Sequence, residues 1–205
     1  MPCTSFPASF PQVDRRRWIA RQCQDQVVLH VGCKAHPHTA DHKRRGKLLH
    51  DQLAEVAKDL TGVDVDVETN RDLLPIDSNA HRILCADVCD PLAFHAACSV
   101  SPVSDVIVLA DILEHLSLPG RALDVVRTFA PEATILVSVP NAFGVAANAK
   151  RERVNPDHVA WYSPRTLTAL LERHGYCIDQ LVGCRGRGLR AKVIIAKASP
   201  CPSPD

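Results

Sequence analysis

A chain of 205 residues, 46% hydrophobic and 23% charged, has room for one buried core and is too apolar to be disordered along most of its length. Its 24 basic and 23 acidic side chains leave a net charge of +1, which offers no global attraction to nucleic acid or anionic lipid. No window approaches the ~20 apolar residues that span a bilayer, and the run Arg15-Arg16-Arg17 follows the N-terminal apolar stretch where a secretion signal would place it first, so a soluble, cytoplasmic protein is expected.

Taken in chain order, residues 27–31 read as a strand. Residues 43–60 follow as a helix, because Leu48, Leu49, Leu53, Val56, Ala57 and Leu60 recur on one face at helical spacing. A second strand over 62–65 carries Asp64, a third covers 82–86, and a fourth over 105–110 is apolar almost throughout, as suits a strand buried on both faces. Residues 119–129 form a helix with Pro119 in its first turn, and 133–139 form a fifth strand stopped by Pro140. Ser163 can cap the next helix, Pro164 suits its first position, and Gly175 ends it after His174. Residues 176–182 and 189–196 close the chain as a strand pair around the turn 183–188.

Strand and helix alternate, so the first five strands are expected in a parallel α/β sheet with right-handed crossovers. The short last connection permits an antiparallel C-terminal pair. The expected organisation is an N-terminal arm over 1–25, one domain over 26–197 and a flexible tail over 198–205, the proline-rich ends being loose. Nine cysteines are scattered, with Cys85 and Cys89 the closest pair. Cys85 and Cys177 lie in apolar runs, so buried free thiols are expected and a disulfide framework is not. Arg185, Arg187, Arg190 and Lys192 make the best local basic patch, which a solvated hairpin explains equally well.

Ligands of an open parallel sheet bind beyond the carboxyl ends of its strands. Gly32 and Cys33 follow the first strand, Asp64 ends the second, Asp87 follows the third, and Asp111, Glu114 and His115 follow the fourth. A glycine turn lets backbone N–H groups approach a ligand. A carboxylate such as Asp64 has two acceptor oxygens for the hydroxyls of a ribose, and one beyond the third strand can accept from an exocyclic amine. Singly, Asp64 could merely end its strand and Asp87 cap a turn. Together they favour a nucleoside site.

Several strings resemble the class I S-adenosylmethionine (SAM)-dependent methyltransferases. VLHVGC at 28–33 looks like their first motif, TGVD at 61–64 their second, and Ala86-Asp87 their third. DVIVLADILEHL at 105–116 is the most specific match, followed by ILVSVPN and by NPDHVAWYSPRTLTALLERHGY at 155–176. The resemblance spans about residues 26–197. It implies an α/β, Rossmann-like, mostly parallel seven-stranded sheet with helices on both faces, and contacts to SAM from Gly32, Asp64 and Asp87. Cys33 and Asp111, which follow the first and fourth strands, complete the expected cofactor set. The chain departs from the family where His30 stands in place of an acid, and where Lys34 and His36 stand in place of glycines. Either Lys34 or His36 replaces backbone donors toward the methionine carboxylate, or cofactor binding is weakened or lost. Retained binding is expected.

Five histidines fall between positions 30 and 50, and His36, His38 and His42 read as surface-loop histidines in preference to metal ligands. Asp111, Glu114 and His115 share a face at helical spacing, and His158 follows in a later loop. Two carboxylates and two imidazoles suit a divalent metal. Ubiquinone-pathway O-methyltransferases and small-RNA 2′-O-methyltransferases are similar at these positions, though the same Glu-His-Leu string occurs in members without metal. Without metal, His115 or His158 can serve as general base, since imidazole titrates near neutral pH. Trp161 and Tyr162 either wall an acceptor pocket or pack the core.

The activity expected is methyl transfer from SAM to an oxygen, in preference to a nitrogen, of a small molecule or sugar. The alternative is a partner subunit that kept the fold and lost catalysis. An NAD-dependent oxidoreductase would need more glycines in the first loop than this chain has.

Overall fold

The computed structural model describes residues 11–35, 37–66, 81–146, 155–184 and 191–202. The elements are α1 (Arg15–Gln22), β1 (Val27–Val31), α2 (Thr39–Arg44), α3 (Leu49–Ala54), β2 (Asp59–Asp64), β3 (His81–Cys85), α4 (Pro91–Cys98), β4 (Val106–Ala110), α5 (Pro119–Phe129), β5 (Thr134–Pro140), α6 (Ala142–Ala146), α7 (Pro164–Arg173), β6 (Tyr176–Cys184) and β7 (Val193–Pro200). The seven strands form one sheet in the order β3-β2-β1-β4-β5-β7-β6. The first five are parallel, and β7 runs antiparallel to both β5 and β6. Strand order reverses between β1 and β4, where a ligand crevice opens at the carboxyl ends. Among the described residues no helix is long and apolar enough to cross a membrane.

Period-two alternation builds two cores from the same strands. Leu29, Val31, Val63, Ile107 and Leu109 face α4, α5 and α7, burying Phe94, Leu123, Val126, Leu167 and Leu171. Val28, Leu60, Val106, Val108 and Leu136 face the other way, onto Ile19 of α1 and Leu49 and Leu53 of α3. Burying each such leucine contributes about 1.5–3 kcal/mol. His30 lies in register with the second set. Its Nδ1 is 3.1 Å from Nδ1 of His50 on α3, and both rings are almost fully buried.

The helix expected over 43–60 is instead two short helices and the start of a strand. Gly46 takes φ +61, a left-handed conformation that ends the α2 segment, and Leu48 is extended before α3 begins. Leu60 therefore packs from β2 and not from a helix. Where local signals are strong the expected bounds hold: α5 spans 119–129, and Ser163 and Thr166 form a capping box at the start of α7. Helix α1 lies inside the segment expected as an arm, capped by the Asp14 side chain on the Arg17 amide. Strand β7 reaches Pro200, beyond the 189–196 expected. The cysteines also differ from expectation. Cys177 and Cys201 form a disulfide across the end of the β6–β7 pair, and Cys85 is exposed because it stands at the edge-strand end. The stretch 185–190, with most of the basic patch, lies outside the described residues, as do His36 and residues 147–154.

Candidate active site

The carboxyl ends of β1, β2, β4 and β5 open on a cleft of about 790 Å³, within the size range of small-molecule sites. Gly32 turns the chain at the end of β1 with φ +70, and a Cβ there would approach the Ile112 Cδ1 atom to 3.0 Å. Both conformation and space therefore require glycine. The amides that follow do not point to the cleft. Gly32 N–H donates to the Val63 carbonyl at 2.8 Å, Cys33 N–H to the same oxygen at 3.3 Å, and Lys34 N–H to the Asp64 carboxylate at 3.1 Å. The Cys33 side chain is buried, and burial followed by the Asp64 charge pushes its thiol far above the ordinary range, so it stays neutral.

Asp64, the last residue of β2, lines the cleft. Besides the Lys34 amide it accepts from Asp66 N–H at 3.4 Å. Lys34 does not extend into solvent. Its side chain is 2% exposed, and its ammonium donates to the Asp66 carbonyl and lies 3.6 Å from the Asp66 carboxylate. The loop after β1 is thus tied to the loop after β2 by the Lys34 side chain. Asp87 is exposed and outside the cleft lining; its carboxylate accepts from Cys89 N–H at 2.8 Å, capping the turn before α4.

At the end of β4, Asp111 adopts φ +55, an uncommon conformation for a residue with a side chain. Its N–H donates to the Ser138 carbonyl at 2.8 Å, and its Oδ1 accepts from the Ser138 hydroxyl at 3.1 Å. Its Oδ2 pairs with the Arg15 guanidinium, which reaches in from the first turn of α1 and also donates to the Ser138 hydroxyl at 3.3 Å. Arg15 reaches His30 electrostatically as well: burial first, then the Arg15 charge, lowers the imidazole to about 3.

Just beyond Asp111, a single 3-10 turn over Leu113–His115 carries Glu114 and His115. The Glu114 carbonyl accepts from Val159 N–H at 2.8 Å and Ala160 N–H at 3.2 Å, which fixes the returning chain and places His158 against the turn. The Glu114 side chain is 1% exposed, and neither carboxyl oxygen has a partner among the described residues. Burial, then the Asp111 charge, pushes its pKa up to about 8. One ligand atom each from Glu114, His115 and His158 lies within 4.8 Å of the others. Oxygen plus two imidazole nitrogens is a donor set fit for a borderline divalent cation. Asp111, expected as a fourth ligand, is not in that cluster and is committed to Arg15 and Ser138.

Of the expected site residues, Gly32, Cys33, Asp64, Asp111, Glu114, His115 and His158 line one cleft, and Asp87 does not. Trp161 is 38% exposed and meets the His158 ring edge-on, while Tyr162 is buried and donates to the Leu113 carbonyl at 3.3 Å. Sequence reading missed Arg15. Its place in an arginine run beside a capping aspartate is a helix-start signal, but nothing local aims it at Asp111.

A family of methyltransferase domains matches residues 14–181. No curated protein sequence matches the chain. Among solved structures, magnesium protoporphyrin IX methyltransferase (ChlM) from Synechocystis PCC 6803, with bound S-adenosylhomocysteine (SAH), has a TM-score of 0.60 at 14% identity, over 91% of this chain and 80% of that one. The N-methyltransferase NodS from Bradyrhizobium japonicum WM9, in complex with SAH, has a TM-score of 0.59 at 18% identity, over 91% and 85%. The small RNA methyltransferase HEN1 has a TM-score of 0.62 at 15% identity, over 93% of this chain and 25% of that one. At these identities the structural likeness is one of fold, and the family match adds the membership. The chain belongs to the class I SAM-dependent methyltransferases.

Proposed function

We propose that this protein transfers the methyl group of SAM to an oxygen, in preference to a nitrogen, of a small molecule or sugar. The observation that carries the reading is Glu114: a buried carboxyl with no partner among the described residues, in the cleft lining, beside His115 and His158. SAM, when bound, supplies a sulfonium methyl open to in-line displacement. The cleft suits its nucleoside end. Gly32 turns the chain at the edge of the cleft, and Asp64 lines it with a carboxylate whose two oxygens suit the hydroxyls of a ribose.

The chain's own residues then hold the acceptor hydroxyl and take its proton. Alignment of the two reactants supplies most of the acceleration, and the base adds about 10²–10⁴-fold. His115 is oriented for that task, its Nδ1 lying 3.2 Å from the Asp157 carbonyl. A carbonyl only accepts, so Nδ1 carries the proton and Nε2 is the basic nitrogen. The same three side chains would hold a divalent cation if one takes part; it would bind vicinal hydroxyls and lower a hydroxyl pKa.

Isothermal titration with SAM and SAH tests the cofactor. Absence of both heat and thermal shift at millimolar ligand removes it. Transfer of labelled methyl across a panel of hydroxyl- and amine-bearing small molecules and sugars tests the acceptor, and transfer to amines alone removes the oxygen reading. Loss of transfer on chelation, restored by a divalent ion, selects the metal form over the free base.

One observation favours a second reading, a partner subunit without catalysis. The Gly32, Cys33 and Lys34 amides are all spent on β2, leaving none of the three for a ligand. SAH binding without turnover across the panel, with a stable partner recovered in pull-downs, would select it.

A further inference from the structure

A SAM molecule has two ends, and the first three amides after β1, those of Gly32, Cys33 and Lys34, are not open to the amino-acid end. Its three consecutive N–H groups are bonded to Val63 and Asp64, and the Lys34 ammonium is buried against Asp66. Both opposite charges that an α-amino acid requires nevertheless stand together in the same cleft. Arg15 and Asp111, 25% and 39% exposed, form an ion pair in its lining. Both Arg15 contacts use Nη1 alone, so Nε and Nη2 remain as donors among the described residues. Each Asp111 oxygen accepts one hydrogen bond, which leaves lone pairs on both.

We infer that Arg15 and Asp111 are the amino-acid clamp of this enzyme: the guanidinium takes the ligand carboxylate and the Asp111 carboxylate takes its α-ammonium. The inference rests on SAM being the cofactor. An ammonium-carboxylate zwitterion laid over an arginine-aspartate pair meets opposite charge at both ends, so neither protein charge is left unpaired when the ligand seats. Ser138 supports the arrangement by donating to Asp111 while its own oxygen accepts from Arg15. The left-handed backbone at Asp111 is held by the hydrogen bond that its N–H donates to the Ser138 carbonyl. Because Arg15 is the first residue of α1, ligand binding also ties that helix to the strand ends. α1 thereby supplies from outside the sheet the contact that the Gly32, Cys33 and Lys34 amides do not make.

The test compares SAH with 5′-methylthioadenosine, which carries the same nucleoside and no amino acid. Affinities are measured by calorimetry for the wild type, Arg15→Ala, Arg15→Lys and Arg17→Ala. Arg15→Ala should weaken SAH about ten- to a hundredfold, as loss of one or two charge-assisted hydrogen bonds implies, and leave 5′-methylthioadenosine unchanged. Arg15→Lys should recover part of the loss. Arg17→Ala, exposed and outside the cleft lining, should bind both ligands as the wild type does. Hydrogen exchange of the α1 amides should slow with SAH and not with 5′-methylthioadenosine. Equal weakening of both ligands in Arg15→Ala, or unchanged SAH affinity, overturns the clamp while leaving the cofactor in place. A wild type that binds neither ligand overturns the cofactor reading itself, and the clamp with it.

Discussion

The His158 ring stands nearly perpendicular to that of His115, with centroids 4.7 Å apart and an interplanar angle of 86°. The His158 Nδ1 is buried and has no partner among the described residues, whereas the His115 Nδ1 is committed to a carbonyl. Burial, then the His115 charge, holds His158 below the ordinary imidazole range, so it stays neutral near pH 7. If this pair handles the acceptor proton, His115→Ala and His158→Ala should each lower kcat about 10²–10⁴-fold, the range general-base groups supply. SAH affinity should stay within about twofold, since neither imidazole is assigned to the cofactor. The measurement is kcat with whichever acceptor the panel returns, beside SAH calorimetry. Full turnover in both variants would place the base elsewhere.

Glu114 links the site to stability. Its folded-state pKa of about 8 lies above the ordinary 4.5, because burial and Asp111 oppose the charged form. The folded state therefore binds more protons than the unfolded state between those values. Stability is fully present below about pH 4.5 and is lost as pH rises through 8. Glu114→Gln keeps the volume and cannot ionise. Urea unfolding should find the two proteins similar at pH 4.5, and the variant more stable at pH 8.5 by an amount on the order of a few kcal/mol. Parallel stability profiles for the two proteins would show that Glu114 titrates in the fold as it does in the unfolded chain, and that burial does not hold its proton.

His30 and His50 work in the opposite direction. Burial lowers both, His30 to about 3 and His50 well below its usual value. Their contribution is present above the unfolded imidazole value of 6.5 and falls away as pH drops toward 3. Acid unfolding of the wild type should therefore steepen below pH 6.5. His50→Ala should cost roughly 2–4 kcal/mol at pH 7, from a cavity and an unpaired His30 nitrogen. Equilibrium denaturation of the single variant checks this.

Local signals and long-range ones were legible to different degrees. The bounds of α5 and the cap of α7 could be read because Pro119, Ser163, Pro164 and Gly175 act within a turn of where they stand. The 43–60 segment could not, because the spacing of Leu48, Leu49, Leu53 and Leu60 runs on at helical period across a glycine in a left-handed conformation and into a strand. The carboxyl-end rule picked out Gly32, Asp64 and Asp111, since topology alone brings strand ends together. Arg15 lies 96 residues from Asp111, and only the docking of α1 onto the sheet brings them into contact. Cys177 and Cys201 escaped for a similar reason: pairing is decided by how β6 and β7 align, and no spacing rule encodes that.

The Cys177–Cys201 disulfide joins residues 24 apart in sequence, tying the chain after β7 back to the start of β6. Constraining the unfolded chain over such a loop stabilises the fold by roughly 3 kcal/mol in the chain-entropy view. Cys201→Ser should lower the unfolding free energy by about that amount without reductant, and reductant should bring the wild type down to the variant. A wild type indifferent to reductant would mean that the bond contributes nothing to the fold.

The most discriminating pair of variants is Asp64→Ala and Asp66→Ala. Asp64 lines the cleft at the end of β2, while Asp66 lies outside the cleft lining, and its carboxylate is 3.6 Å from the Lys34 ammonium. If Asp64 accepts from both ribose hydroxyls, each charge-assisted bond contributes roughly 1.5–3 kcal/mol. Its loss should weaken SAH about ten- to several hundredfold, at ~1.4 kcal/mol per decade. Asp64 also accepts the Lys34 amide, so its removal loosens the loop after β1 as well. The two effects separate with 5′-methylthioadenosine: loss of the ribose contact weakens both ligands alike, because both carry the ribose. Asp66→Ala should weaken neither by more than a few fold; its cost falls on stability, through the buried Lys34 ammonium left with less compensation. Thermal unfolding beside the two titrations reads both. If Asp66→Ala is the variant that loses ligand, the nucleoside site is shifted by one pleat along the loop after β2, and Asp64 serves only to hold the Lys34 backbone in place.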